Sequence, residues 1–299
     1  MSNIDVKFPQ SIPNPIPVAK RTRQSKEVFK RLMRNRSAVI GLIILVIYIF
    51  AAIFANVIAP YGYEIMTGEY LANPSAAHIF GTDNLSRDLF SRVVYGSRYS
   101  LFLGIGATCI GVVFGILLGC IAGYYGGVVD EVFMRIADVI QSIPSVLLNM
   151  ALSVTFGSGL FNTMLALGFS SIAGVARLQR ASILSIRKME YIDAASSTNC
   201  NTTRITLKHI IPNSFSSILV FATMEIGHVI MSAAGLSFLG LGIQPPTPEW
   251  GALISDGRSF MKNAPYLCIC PGLVLLFFVL AINLFGDGLR DALDPKLKK

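Results

Sequence analysis

The sequence predicts an all-α, polytopic membrane protein with six transmembrane helices. Hydrophobic residues make up 53% of the 299 and charged residues only 14%, with a mean hydropathy of +0.60. A soluble domain would carry about a quarter charged residues. Apolar runs long enough to cross a bilayer recur along the chain. Cations cluster beside them: nine of the twenty-five Lys and Arg fall in the first thirty-seven residues, and six more between Arg177 and Lys208. That is the pattern of inner-face loops. The net charge of +8 points to a membrane surface rather than to nucleic acid, because no aromatic-basic platform accompanies it.

Residues 1–19 are polar and dotted with Pro9, Pro13, Pro15 and Pro17, and read as an extended tail rather than a cleavable signal peptide. Lys20–Arg36 is basic, with Val28, Phe29, Leu32 and Met33 spaced for one apolar face, which suits a short helix on the inner membrane surface. Residues 1–37 are thus expected as a cytoplasmic tail with an interfacial helix, and 38–299 as the transmembrane domain. Ala38–Ala59 is uncharged and reaches about 33 Å as a helix, enough to span. Tyr61–Tyr99 is a long polar loop. The second span, about Ser100–Ala122, carries Ala107, Gly111, Gly115, Gly119 and Gly123 at four-residue spacing. Such a stripe either packs closely on another helix or serves as a sliding surface.

The third span is expected over about Val132–Phe156, with Arg135 and Asp138 forming an i, i+3 ion pair at its entry. The fourth covers about Leu160–Ala176 and stops at Arg177, which with Arg180 fits interfacial snorkelling. The fifth lies near Phe215–Ala234 and the sixth near Cys268–Phe285, with a loop over Gly235–Leu267 between them. Six spans put both termini on one side, and the cations make that side cytoplasmic. Tyr61–Tyr99 and Gly235–Leu267 are then outside.

Between the fourth and fifth spans lies EYIDAASSTNCNTTRITLKHIIPN, Glu190–Asn213. Propensity splits it into two short helices. The first is Glu190–Thr198. The second is capped by Asn201 or Thr202 and runs through Arg204, Ile205 and His209 until Pro212. Asn199 stands between them, where a left-handed residue is wanted and Asn tolerates that conformation best after Gly.

This segment resembles the cytoplasmic coupling loop of ABC importer permeases. Glu190, Ala194, Ala195, Ile205 and Pro212 carry the resemblance, and Asn199 replaces the family's glycine. FGTDNLSRDLFSRVVYGSRYSL, Phe80–Leu101, resembles the outer-loop motif of one permease subfamily through Gly81, Thr82, Asp83, Arg87, Asp88, Arg92 and Arg98. Ser86 stands where glycine is usual. By residue type alone this is a solvated ionic loop whose opposite charges pair. LSFLGLGIQPPTPEWGALISDGR, Leu236–Arg258, with Pro245, Pro246 and Trp250, matches the same subfamily. Trp250, the sole tryptophan, reads as an interface anchor.

The subfamily is the dipeptide, oligopeptide and nickel importers, in their C-type permease subunit, and the resemblance covers about Lys30–Pro295. It implies a type I ABC importer permease fold and a bacterial or archaeal cytoplasmic membrane. Its implied partners are a homologous B-type permease, two ABC ATPase subunits that bind ATP and Mg, and an extracytoplasmic solute-binding protein. Coupling helices 190–212 would dock in the ATPase groove, with Ala195 facing it. Peptide is the expected substrate; nickel or another metal chelate is the alternative within the same architecture. An ion-driven secondary transporter, the alternative of another class, would need no coupling loop and often shows inverted repeats.

Glu225 and His228 share a helix face in the fifth span. As ionisable groups at membrane depth, they either line the translocation path or make an interhelical hydrogen bond with a neighbouring subunit. No catalytic residues, metal ligands or cofactor of the chain's own are expected. No G-x-x-x-x-G-K-[ST] phosphate loop occurs, and His78, His209 and His228 are too dispersed for a zinc site. The cysteines at 109, 120, 200, 268 and 270 read as small hydrophobes rather than a disulfide framework.

Overall fold

The computed structural model describes residues 24–190, 192, 197, 202–206 and 210–293; Ala194, Ala195, Asn199 and His209 lie outside them. The described residues form helices and no strand. α1 (Gln24–Arg34) forms within the basic segment: Leu32 is buried with Leu289 and Ala292, while Phe29 and Met33 stay exposed. Asn35 caps α2 (Arg36–Ile53), its Oδ1 accepting from the Ser37 and Ala38 amides at 3.1 and 3.3 Å, which satisfies two of the helix's orphan donors. One side of α2, including Ile40, Ile43, Ile47 and Phe50, is exposed, a stripe suited to lipid or another helix rather than water. Phe54 interrupts the run before α3 (Ala55–Ile58).

α4 (Leu89–Tyr125) contains 37 residues, about 55 Å of helix. The second span therefore starts well before Ser100. Asp88 starts it by accepting from the Ser91 amide at 2.7 Å, and its first turns can be polar because they are buried against the long loops of the chain. Gly126 and Gly127, at φ 67° and 53°, turn the chain into α5 (Gly127–Ser142).

The expected straight third span is broken. α5 and α6 (Ser145–Phe156) meet at a bend of 94°. Pro144 forces it: Ile143 before it is extended (φ −84°, ψ 127°), as a residue preceding proline must be. α7 (Leu160–Ile186) runs straight past Arg177, so that arginine does not stop the fourth helix. Arginine is a good helix former, and its charge has a partner described below.

The small-residue stripe is a packed seam between α4 and α7. A Cβ at Gly115 would lie 2.5 Å from Val175 Cβ, and one at Gly119 2.5 Å from the Ala176 carbonyl oxygen. α8 (Thr202–Ile205) is the described part of the second short helix expected before Pro212. Pro212 sits in the first turn of α9 (Ile211–Phe238). There its missing N–H leaves nothing unsatisfied, so it opens the fifth-span helix rather than closing the helix before it. α10 (Trp250–Gly257) lies in the Gly235–Leu267 loop, and α11 (Tyr266–Leu293) closes the described chain. Five of these helices, α2, α4, α7, α9 and α11, are long and apolar enough to cross a membrane, and the bent α5–α6 pair makes a sixth if taken as one span.

Candidate functional site

At the end of the bundle where the two long loops meet, the charged residues of Phe80–Leu101 form a buried lock, not a solvated loop. Asp83, Arg87, Asp88 and Arg92 are each at most 4% exposed. Asp83 Oδ1 accepts from the Leu85 and Arg87 amides at 2.8 and 2.9 Å. Its Oδ2 accepts from Arg87 Nε at 2.8 Å and Arg92 Nη1 at 2.6 Å. One carboxylate thus uses all its acceptor capacity on two guanidinium groups and a turn, which is what makes burial of these charges tolerable. Arg92 Nη2 lies 3.9 Å from Asp256 in α10, linking the two long loops. Gly81 and Thr82 complete the junction: a Cβ at Gly81 would meet the Ala72 carbonyl oxygen at 2.5 Å, and the Thr82 carbonyl accepts from the Tyr266 hydroxyl at 3.1 Å.

Asp88 holds buried His78 through Nδ1 at 2.9 Å, a contact that requires the imidazole proton on Nδ1. Arg98 donates to the Ala52 and Ile53 carbonyls at 2.5 and 2.8 Å and to Asn56 at 2.9 Å. It closes the C-terminal end of α2, where unpaired carbonyls and the helix dipole favour a cation. Ser86, which stands in place of glycine, is left-handed at φ 58°.

Trp250 is fully buried, not an interface anchor. Its indole N–H donates to the Val93 carbonyl at 3.1 Å, and its ring meets Tyr48 and Phe278. Pro245 and Pro246 are exposed. Glu249, unforeseen from sequence, caps α10 by accepting from the Gly251 and Ala252 amides at 2.8 and 2.9 Å. It also accepts from Ser237 at 3.0 Å and Ser100 at 3.4 Å. Its position directly before the apolar run Trp250–Ile254 was the available signal.

At the opposite end, Ile192, Ile205 and Ile210 are buried in one cluster with Cys120, Ile183 and Ile186. These described residues of the 190–212 segment therefore sit against the ends of α4 and α7. Glu190, Arg204 and Pro212 are exposed beside it. Asp138 does not pair with Arg135. It accepts from Arg177 at 2.7 Å, while Arg180 grips Asp130 through two nitrogens at 2.5 Å each. A partner on the facing helix is within better reach than one on the same face of α5, so these arginines bind α5 rather than snorkel.

Between the two ends lies a cavity of about 420 Å³. Its walls come from the α5–α6 break (Gln141, Ile143, Pro144, Ser145), from α6 (Leu148, Asn149), from α7 (Leu167, Ser170, Ser171) and from α9 (Glu225, His228, Val229, Ser232). Glu225 and His228 both face it. Glu225 accepts a hydrogen bond from Ser171 at 2.6 Å, an interhelical bond within this chain. Asn149 and Ser171 were passed over in the sequence, although polar side chains inside apolar spans were the signal that could have found them.

Residues 115–299 match the family described as binding-protein-dependent transport system inner membrane component, and residues 23–77 match the N-terminal transmembrane domain of oligopeptide transport permease C. The chain is 44% identical over 274 residues to the dipeptide transport system permease protein DppC of Alkalihalophilus pseudofirmus, covering 91% of this chain and 90% of that one. It is 45% identical over 294 residues to the glutathione transport system permease protein GsiD of Escherichia coli O157:H7, covering 97% of both. Among solved structures, it is similar to the MetNI methionine ABC transporter in an inward-facing form. The TM-score there is 0.58 at 18% identity, covering 69% of this chain and 98% of that one, a likeness of fold.

Proposed function

The chain belongs to the permeases of binding-protein-dependent ABC importers, in their C-type oligopeptide branch, and on that premise we propose that it forms one half of a peptide-conducting pore. The observation that carries this reading is the continuity of α7. One helix lines the polar cavity with Ser170 and Ser171 and, further along, packs Ile183 and Ile186 on the inner segment. A displacement of that segment therefore reaches the cavity wall without crossing a flexible joint.

The other pore half would be a homologous B-type permease. Two ATPase subunits carrying ATP and Mg would grip the 190–212 segment, and a solute-binding protein would dock on the outer lock; this chain itself would be non-catalytic. Both termini would lie in the cytoplasm. Peptide is favoured over a metal chelate by the relatives' dipeptide and glutathione transport names.

Ala195→Trp tests the coupling. At a packed helix-in-groove contact, added bulk costs about 1–3 kcal/mol. The variant should reach the membrane at normal levels, yet lose peptide-stimulated ATP hydrolysis in the reconstituted complex. Full uptake and full stimulation would overturn the reading.

A further inference from the structure

We infer that the cavity is a half-site for the protonated amino end of a peptide, with Glu225 as its counter-charge; the inference rests on the importer reading above. Glu225 and His228 are the ionisable residues of the lining, and no Lys or Arg joins them. With the imidazole neutral, the half-site carries one formal negative charge. A carboxylate at membrane depth is costly to leave uncompensated, and the low dielectric there strengthens its pull on a cation.

Among the described residues, Ser171 supplies Glu225 with one hydrogen bond, at 2.6 Å. A carboxylate can accept about four, so most of its capacity is available to a ligand.

A carboxylate with most of its acceptor sites unused calls for a cation rich in N–H donors. A primary ammonium offers three. A carboxylate end would meet like charge and no donor cation. A divalent metal is a poorer fit, because one carboxylate and one imidazole fall short of the three or more protein ligands such sites use. No group of three or more His, Cys, Asp or Glu able to hold a metal occurs among the described residues. A volume of about 420 Å³ lies within the range of small-ligand pockets and suits a short peptide.

Equilibrium binding of radiolabelled trialanine to the assembled transporter in nanodiscs, without its binding protein, tests this. Trialanine should bind saturably to the wild type, and N-acetyl-trialanine should compete at least about tenfold less well. Glu225→Gln should weaken trialanine by about tenfold and N-acetyl-trialanine by less than about twofold. Glu225→Asp should keep the preference for the free amine. Equal competition by the two peptides in the wild type overturns the inference, and needs no variant to assemble. Lack of saturable binding in a complex that imports peptide with its binding protein also overturns the inference while leaving the importer reading standing. A complex that imports no peptide at all overturns both.

Discussion

Arg180 meets Asp130 fork to fork, with Nε and Nη2 each 2.5 Å from a separate carboxylate oxygen, and so fastens the start of α5 to α7. The Arg177–Asp138 pair repeats the tie further along α5. What moves α7 should therefore move α5 and the cavity wall at its end. A double-mutant cycle on Asp130→Ala and Arg180→Ala, read by thermal unfolding of the assembled complex, should give a coupling energy of about 1 kcal/mol, modest because the pair is partly exposed. Arg180→Lys should recover little of it, since an ammonium cannot match two oxygens at once. Additive single variants would remove the tie.

Ser86 holds a left-handed backbone at φ 58°, an arrangement that costs a residue with a Cβ about 1–2 kcal/mol. Its amide and carbonyl are both engaged, with Asp83 and Thr67. Ser86→Gly should raise stability by roughly 0.5–1 kcal/mol without altering transport, and Ser86→Val should lower it. Calorimetry of the purified complex checks both signs. Stabilisation by valine would contradict the assigned conformation.

Burial pushes the Glu249 carboxyl above the usual glutamate range, against the pull of the Gly251 and Ala252 amides and the Ser237 and Ser100 hydroxyls. The folded chain then holds this proton to higher pH than the unfolded chain does. The stabilisation is fully present below the unfolded value near 4.5 and is lost as pH rises through the raised folded value. Asp256 is displaced in the same direction by burial. Thermal stability should fall across this window, and Glu249→Gln should flatten part of the slope. The variant should also be weaker at acid pH, because its amide nitrogen would face a backbone donor. An unchanged slope would mean that Glu249 does not titrate in this window.

Topology is open to cysteine labelling in intact cells, in a background freed of the five native cysteines. Asn73 and Lys262 are exposed on the outer loops, and cysteines there should react with an impermeant maleimide. Cysteines at Ser25 and Thr202 should not. Reaction at Thr202 from outside would overturn the orientation and, with it, the coupling role of the inner segment.

Most of the helical layout was legible because apolar runs record contact with lipid directly. Backbone events were less so. Pro144 lies inside a stretch apolar enough overall to pass for one span, and hydropathy does not register that proline disfavours a helical residue before it. Arg177 read as the end of a span because its charge was weighed without Asp138, which only the fold brings near. Trp250 followed a positional tendency of tryptophan, whereas its surroundings are set by the side chains of α2, α4 and α11. The pairing of Asp83 with Arg87 and Arg92 could be anticipated from alternating sign, but its burial could not. That depends on the second outer loop, more than 150 residues further along the chain.

Because the only indole of the chain is sealed in the core, edge-on to Tyr48 and 5.6 Å from it, its light emission reports on a single place. Intrinsic fluorescence from this subunit should be blue-shifted while the outer bundle is intact. Tyrosine excitation should pass efficiently to the indole across that short gap. Any opening of the seam among α2, α4 and α11 would admit water to the ring and shift the emission to the red, making the junction of the two outer loops an optical gauge that needs no added label.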